Sequence, residues 1–396
     1  MEIVVWACLG MLAYTYVFFP LLLRLRAYTR TLPHFEPPGH LPRVAIVLAA
    51  YNEEAVITAK LENICRLDYP KHLLEVWIGS DASTDATDLI IADYAKRYPF
   101  IYGIRFDQRT GKAPILNRLV EKTEAEILVL TDADVLFAPD CLHRLVAPFS
   151  DPRVGLVSAQ LTHPCSNGDD FRSVEQFFRH SENQLKYSEA IAYGMFMGAD
   201  GGCYALRRNI YTPFPEDRIV TDDLLLTLEV IAREYRALYL PEAVCFTSVP
   251  EDPADDFRRK QRIACSNFST LARLPHQFYR PWTCAGWLFW SHKLLRWFGG
   301  FALVGATMGT GFLSQQHWFY TALALTLSIA LLLPLLPALG RVPLLSSLQH
   351  FVLANYAQIA GFVCWLRGKT TPYWQPPHRV DTAVSLTANV QDAPRG

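Results

Sequence analysis

Residues 126–134, Glu-Ile-Leu-Val-Leu-Thr-Asp-Ala-Asp, carry two carboxylates, Asp132 and Asp134, directly after an aliphatic run. Hard oxygen ligands at that spacing suit Mg²⁺ or Mn²⁺ carrying a diphosphate. If the backbone stays extended, both side chains point to the same side. The run 127–130, bounded by charge and by Pro139, reads as a buried strand of a parallel sheet. The carboxyl end of such a strand is where open α/β sheets bind ligands. A D-x-D triplet arises by chance roughly once at this Asp content, so its surroundings must carry the assignment.

Further chemistry-bearing residues stand at other expected strand and helix ends. Tyr51 and Glu53 come after the aliphatic stretch 43–50, and Asp81 after 74–79. The polar loop 107–112 ends in Gly111-Lys112, and the glycine-dense loop 196–202 contains Gly198 and Asp200. Thr221-Asp222-Asp223 opens a helix expected to run to about residue 233. Two acids in a first turn are ordinary partners of the helix dipole, or one of them is a base. Arg258, Arg259, Lys260 and Arg262 put four cations in five residues, either a solvated face or an anion contact.

The elements that must position these groups alternate. Strands are expected at 43–50, 74–79, 101–106, 127–130, 154–161 and, around Pro241, 238–246; helices at 55–66, 113–122 and 171–193, with Ser83 or Thr84 capping another. This order predicts an α/β fold, Rossmann-like and doubly wound on a mostly parallel sheet. The polar residues ending each strand then converge on one sheet edge.

A formal net charge of −1 argues against nucleic-acid binding. Hydrophobic residues make up 51 % of the 396 and concentrate at both ends. Nine cysteines without a C-x-x-C pair read as reduced and mostly buried, facing the cytosol. Residues 3–23 are long enough to cross a bilayer. Arg24, Arg26 and Arg30 behind them place the adjoining chain in the cytoplasm, amino end outside. The expected division is an anchor at 1–26, a proline-rich linker at 27–42, a cytoplasmic catalytic domain at 43–275, a Trp-rich interfacial helix at 276–298, a transmembrane bundle at 299–370 and a polar tail at 371–396. In the bundle, 299–313 is short, 318–339 and 344–366 are long enough, and one stretch is expected not to cross.

Taken in order, these motifs resemble the family 2 inverting glycosyltransferases, particularly the membrane-bound synthases of bacterial polysaccharides. The resemblance spans about residues 40–280. Residues 50–54 and 80–85 are similar to the two nucleotide-binding segments, with Ser80 and Ala82 where Asp and Gly are usual. Gly111-Lys112 resembles the diphosphate segment, Asp132-Ala133-Asp134 the metal motif, residues 198–208 the acceptor-side segment, and Thr221-Asp222-Asp223 the T-E-D motif. Processive members carry Q-x-x-R-W; here Ala264 and Cys265 stand at the last two places of the motif begun by Gln261.

The resemblance implies a type A glycosyltransferase domain with transmembrane helices at both ends, in a multi-pass protein of the plasma (inner) membrane. It implies transfer from a UDP-sugar of glucose or N-acetylglucosamine type to a growing extracellular polysaccharide or glycan or, alternatively, of one sugar to a lipid-linked acceptor, with Mg²⁺ or Mn²⁺ and possible accessory export subunits. A catalytically inactive partner subunit is the other alternative. Asp223 is then the base; Tyr51, Glu53, Asp81, Lys112, Asp132, Arg259 and Arg262 hold the donor; Asp132 and Asp134 hold the metal; Gly198, Asp200 and Asp222 lie on the acceptor side.

Overall fold

The computed structural model describes residues 1–35, 39–162, 170–216, 219–247, 253–336 and 342–368. The middle of the proline-rich linker and the polar tail fall outside the described residues. The chain divides into two compact units, one built on a sheet (31–165 and 189–249) and one of helices (1–30, 166–188 and 250–370).

The sheet unit contains β1 (Val44–Ala50), β2 (Leu74–Asp81), β3 (Ile101–Phe106), β4 (Ile127–Thr131), the two-residue β5 (Leu136–Phe137), β6 (Val154–Thr162), β7 (Cys203–Arg207) and β8 (Arg236–Phe246). Their order across the sheet is β3-β2-β1-β4-β7-β6-β8-β5. The pairs β1–β2, β1–β4, β2–β3 and β6–β8 are parallel. The short β7 runs antiparallel to both β4 and β6, and the two-residue β5 runs antiparallel to β8 at the sheet edge. This is the expected α/β class, mixed but dominated by parallel pairs.

β1 and β4 lie side by side in the middle, and their aliphatic residues are buried on both faces, as a parallel strand covered by helices requires. Val44, Ile46, Leu48, Val76, Ile78, Ile127 and Val129 share one core with Ile57, Leu61 and Ile64 of the helix Glu54–Cys65. Near Pro241 the β6–β8 register shifts between Ala159 and Gln160, as expected where a strand proline removes a ladder donor.

In the helical unit, Gly361 of the helix Pro343–Leu366 lies against the helix Pro253–Leu271: a Cβ there would stand 2.4 Å from the Ala264 Cβ and 2.8 Å from the Cys265 nitrogen. Small residues let these two backbones approach. Phe268 packs edge-on against Trp297 and Phe362. Glu182 receives Lys293 at 2.9 Å and Arg296 at 2.7 Å and lies 2.8 Å from the buried His292, tying its helix to the segment expected at the membrane interface. Among the described residues, Glu2–Ala27 and Trp318–Leu335 are long and apolar enough to cross a membrane, and Gly299–Leu313 is shorter. Both longer helices present exposed apolar side chains, among them Ile3, Trp6, Leu325 and Ile329.

Candidate active site

The loops after β1 and β2 are stapled together at the sheet edge. Asn52 Oδ1 accepts the Thr84 amide at 2.9 Å, the Asn52 amide donates to Ser83 Oγ at 3.2 Å, and the Glu53 amide donates to Thr87 Oγ1 at 2.8 Å. Ser83 and Thr84 therefore do not cap the next helix, which begins at Thr87 behind Ala86; their groups serve the β1 loop. Ser80 Oγ lies 2.9 Å from Ser83 Oγ, so the hydroxyl that replaces a carboxylate closes the same loop. Asn52 (φ 50°) and Ala82 (φ 55°) both adopt the left-handed region.

Asp81 is buried and organises the loop 109–111. Its oxygens accept from the Thr110 amide at 2.6 Å, the Gly111 amide at 3.0 Å and Arg109 Nε at 3.1 Å. The Arg109 guanidinium in turn lies over the Tyr51 ring, 3.2 Å from its centre. Tyr51 and Asp81 are thus brought together through Arg109. Glu53, 4 % exposed, lies in the same corner.

Gly111, with φ 90°, turns the chain into the helix Lys112–Val120 and aims Lys112 across the sheet edge. Its ammonium stands 2.8 Å from Asp132 Oδ1 and 2.9 Å from Asp222 Oδ2. Burial works against this charge, but the two carboxylates outweigh it and raise the Lys112 pKa above its ordinary value. One cation thus joins the expected metal motif to the expected acceptor segment.

The extended backbone expected through Asp132 and Asp134 is not found. The chain turns at Ala133–Asp134, and the Val135 amide donates back to Asp132 O at 3.3 Å. Ala133 points inward and both aspartates are half-buried. A pair of half-exposed carboxylates beyond a strand end, with oxygen donors only, fits a hard divalent cation that phosphate oxygens complete.

The turn is held from below by β7. Thr131 Oγ1 donates to Gly202 O at 2.7 Å, and the Asp132 amide reaches the same oxygen at 3.4 Å. The loop leading to β7 carries Gly198 (φ 98°) and Asp200, whose amide donates to Ser158 Oγ at 3.3 Å. Its Gly201 faces Asp223: a Cβ there would stand 2.9 Å from Asp223 Oδ2. Asp222 and Asp223 are the first residues of the helix Asp222–Ala232 behind Thr221, and Asp223 Oδ1 accepts the Leu224 amide at 2.6 Å. Burial pushes the Tyr204 phenol well above its ordinary range, and the charges of Asp222 and Asp223 add to this. The structure therefore assembles Asp132, Lys112, Asp222, Asp223 and the glycine loop into one group.

Arg259 and Arg262 belong to the helical unit. Arg259 pairs with Asp256 at 3.4 Å and Glu175 at 3.6 Å, beside Lys260, which reaches Asp256 at 2.6 Å and Glu175 at 3.3 Å. Arg262 is exposed. Ala264 and Cys265 are buried in the helix crossing at Gly361.

Arg109 and Lys60 are not singled out by the sequence, and Gly201 only as part of the glycine-dense loop. Lys60 carries the one signal that was readable: it occupies an apolar position of the stripe Val56, Ile57, Leu61 and Ile64, and it is fully buried. Arg109 and Gly201 sit in loops whose contacts are long-range.

The family model described as "Glycosyl transferase family 2" matches residues 45–212. A beta-monoglucosyldiacylglycerol synthase of Nostoc sp. is 36 % identical over 200 residues, covering 49 % of this chain and 42 % of that protein. A poly-beta-1,6-N-acetyl-D-glucosamine synthase of Staphylococcus aureus is 24 % identical over 59 % of this chain and 56 % of its own length. The chain thus spans less than two thirds of the length of these curated relatives. A solved mannosyltransferase of Pyrobaculum calidifontis, in complex with GDP-Man and Mn²⁺, superposes with a TM-score of 0.69 at 26 % identity, over 92 % of this chain and 99 % of that one.

Proposed function

Residues 45–212 are a glycosyl transferase family 2 domain, and from that premise we propose that the chain is a membrane-attached, metal-dependent enzyme. It transfers one hexosyl group, with inversion, from a UDP-sugar to the hydroxyl of a lipid acceptor. The observation that carries single transfer is the helix crossing at Ala264 and Gly361. Where processive relatives are expected to carry Arg and Trp, this chain has two small residues buried between helices. An Arg side chain in place of Ala264 has no room there. The relative named for a monoglucosyl lipid agrees with this reading.

The residues of the site divide the work. Tyr51, Glu53 and Asp81 take the nucleoside side of the donor, with Arg109 between the ring and the carboxylate. Asp132 and Asp134 hold the divalent ion, which supplies neutralising charge at the diphosphate when bound. Lys112 moves from its two aspartates towards the phosphates. Asp223 accepts the acceptor hydroxyl's proton as the new bond forms. Gly198, Asp200 and Asp222 border the acceptor. The catalytic domain faces the cytoplasm of a plasma-membrane protein, in keeping with Arg24, Arg26 and Arg30 after the first apolar helix.

The test is incubation of membranes containing the protein with radiolabelled UDP-glucose, UDP-N-acetylglucosamine and GDP-mannose, then sizing of the product. Label in a single-sugar lipid supports the proposal. Label in a polymer returns the chain to the polysaccharide-synthase reading, and no transfer from any donor overturns both.

A further inference from the structure

A lysine lies fully buried beneath the metal motif. Lys60 projects from the helix Glu54–Cys65, and its Nζ donates to Thr131 Oγ1 at 2.9 Å and to Val135 O at 2.5 Å. These two atoms are the entrance and the exit of the turn that carries Asp132 and Asp134. We propose that Lys60 is a positioning residue: it clamps both ends of that turn and so sets the carboxylate geometry that receives a divalent cation with its nucleoside diphosphate. The inference rests on the metal-dependent reading of the function.

The direction of the bonds extends the clamp. Thr131 Oγ1 accepts from the ammonium and therefore directs its own proton to Gly202 O at 2.7 Å. Gly202 adjoins Gly201, the residue that faces Asp223. One buried cation thus ties the metal turn to the loop that abuts the proposed base.

Burying an ammonium is costly, and a methionine of similar length would fill the same stripe position without that cost. The surroundings make the charge tolerable. The Phe137 ring lies 3.9 Å from Nζ, a cation–π contact. Burial lowers the Lys60 pKa to about 8, against the opposing fields of Cys203, Cys245, Asp134 and Asp132, so the charge survives at neutral pH. What lysine supplies there, and no apolar residue does, is a pair of donors aimed at the two ends of one turn.

The test uses the full chain purified in detergent, with Mn²⁺ and UDP as probes and titration calorimetry as the readout. Folding of each variant is checked by circular dichroism and a cooperative melt. Lys60→Met and Thr131→Val are expected to raise the Mn²⁺ concentration that half-saturates UDP binding by about tenfold or more, the range typical of lost outer-shell support. Thr131→Ser keeps the hydroxyl and is expected to match the wild type. A folded Lys60→Met that binds Mn²⁺ and UDP like the wild type overturns the proposal. If Lys60→Met does not fold, Thr131→Val decides alone, and an unchanged half-saturation there overturns it equally. Failure of the wild type itself to bind Mn²⁺ with UDP instead removes the metal-dependent reading, and this inference with it.

Discussion

Gly201 and Asp223 approach so closely that a Cβ on the glycine would stand 2.9 Å from Asp223 Oδ2. Only a residue without a side chain leaves the carboxylate where it is. Gly201→Ala is therefore expected to turn Asp223 aside while leaving the nucleotide corner around Tyr51 and Asp81 intact. A misplacement of about 1 Å at a reacting group costs up to roughly 10²-fold. Turnover should fall by about 10- to 100-fold with UDP affinity unchanged, as read by steady-state kinetics and calorimetry on the same preparation.

Ala82 has φ 55°, where an L side chain crowds its own carbonyl and glycine does not. Ala82→Gly is expected to stabilise the sheet unit by about 1 kcal/mol, the strain relieved being larger than the entropy that glycine returns to the unfolded chain. Denaturant titration monitored by tryptophan fluorescence checks this, and a lower midpoint would contradict the strain argument.

Legibility in the sequence differs by element. The strands around Ile46 and Val129 announce themselves as aliphatic runs because both faces are buried, and the polar residues at their ends do gather at one edge. β7 does not announce itself: Cys203–Arg207 is five residues long, mixes Cys, Tyr and Ala, and is a strand because β4 and β6 flank it. The turn at Ala133–Asp134 is likewise imposed from outside, by Lys60 and Gly202, and has no local signal. Lys112 is expected from its motif to reach a diphosphate; that it bridges Asp132 and Asp222 comes from tertiary placement of the helix Asp222–Ala232.

Glu175 gives a pH dependence to the helical unit. Burial works against its charge, but Lys260, Arg179, His350 and Arg259 prevail and lower its pKa to about 2 from 4.5. A depressed carboxylate contributes stability that is fully present above its unfolded pKa and is lost as pH falls through the folded one. The window is therefore pH 4.5 down to about 2, and the loss amounts to about 3 kcal/mol. Thermal melts in detergent across that range should fall for the wild type, and Glu175→Gln should flatten the slope while lowering stability at neutral pH.

Asp134 and Asp132 lead to a metal prediction. Chelation of divalent ions, or Asp134→Ala, is expected to abolish transfer, because the diphosphate then leaves without its neutralising charge. Restoring Mn²⁺ or Mg²⁺ should recover the chelated wild type but not the variant. Full transfer in excess chelator would remove metal from the mechanism.

In the proposed reaction Asp223 takes the proton of the acceptor hydroxyl, and Asp223→Asn tests this most directly. The substitution keeps the shape and the contact to the Leu224 amide at 2.6 Å but removes the basicity. A positioned base contributes roughly 10²–10⁴-fold. UDP-sugar affinity should stay close to wild type while turnover falls by that factor, both measured on one preparation. Wild-type turnover in a folded Asp223→Asn protein would contradict the claim, leaving Asp223 as a helix-terminal acid and the proton to leave by another group.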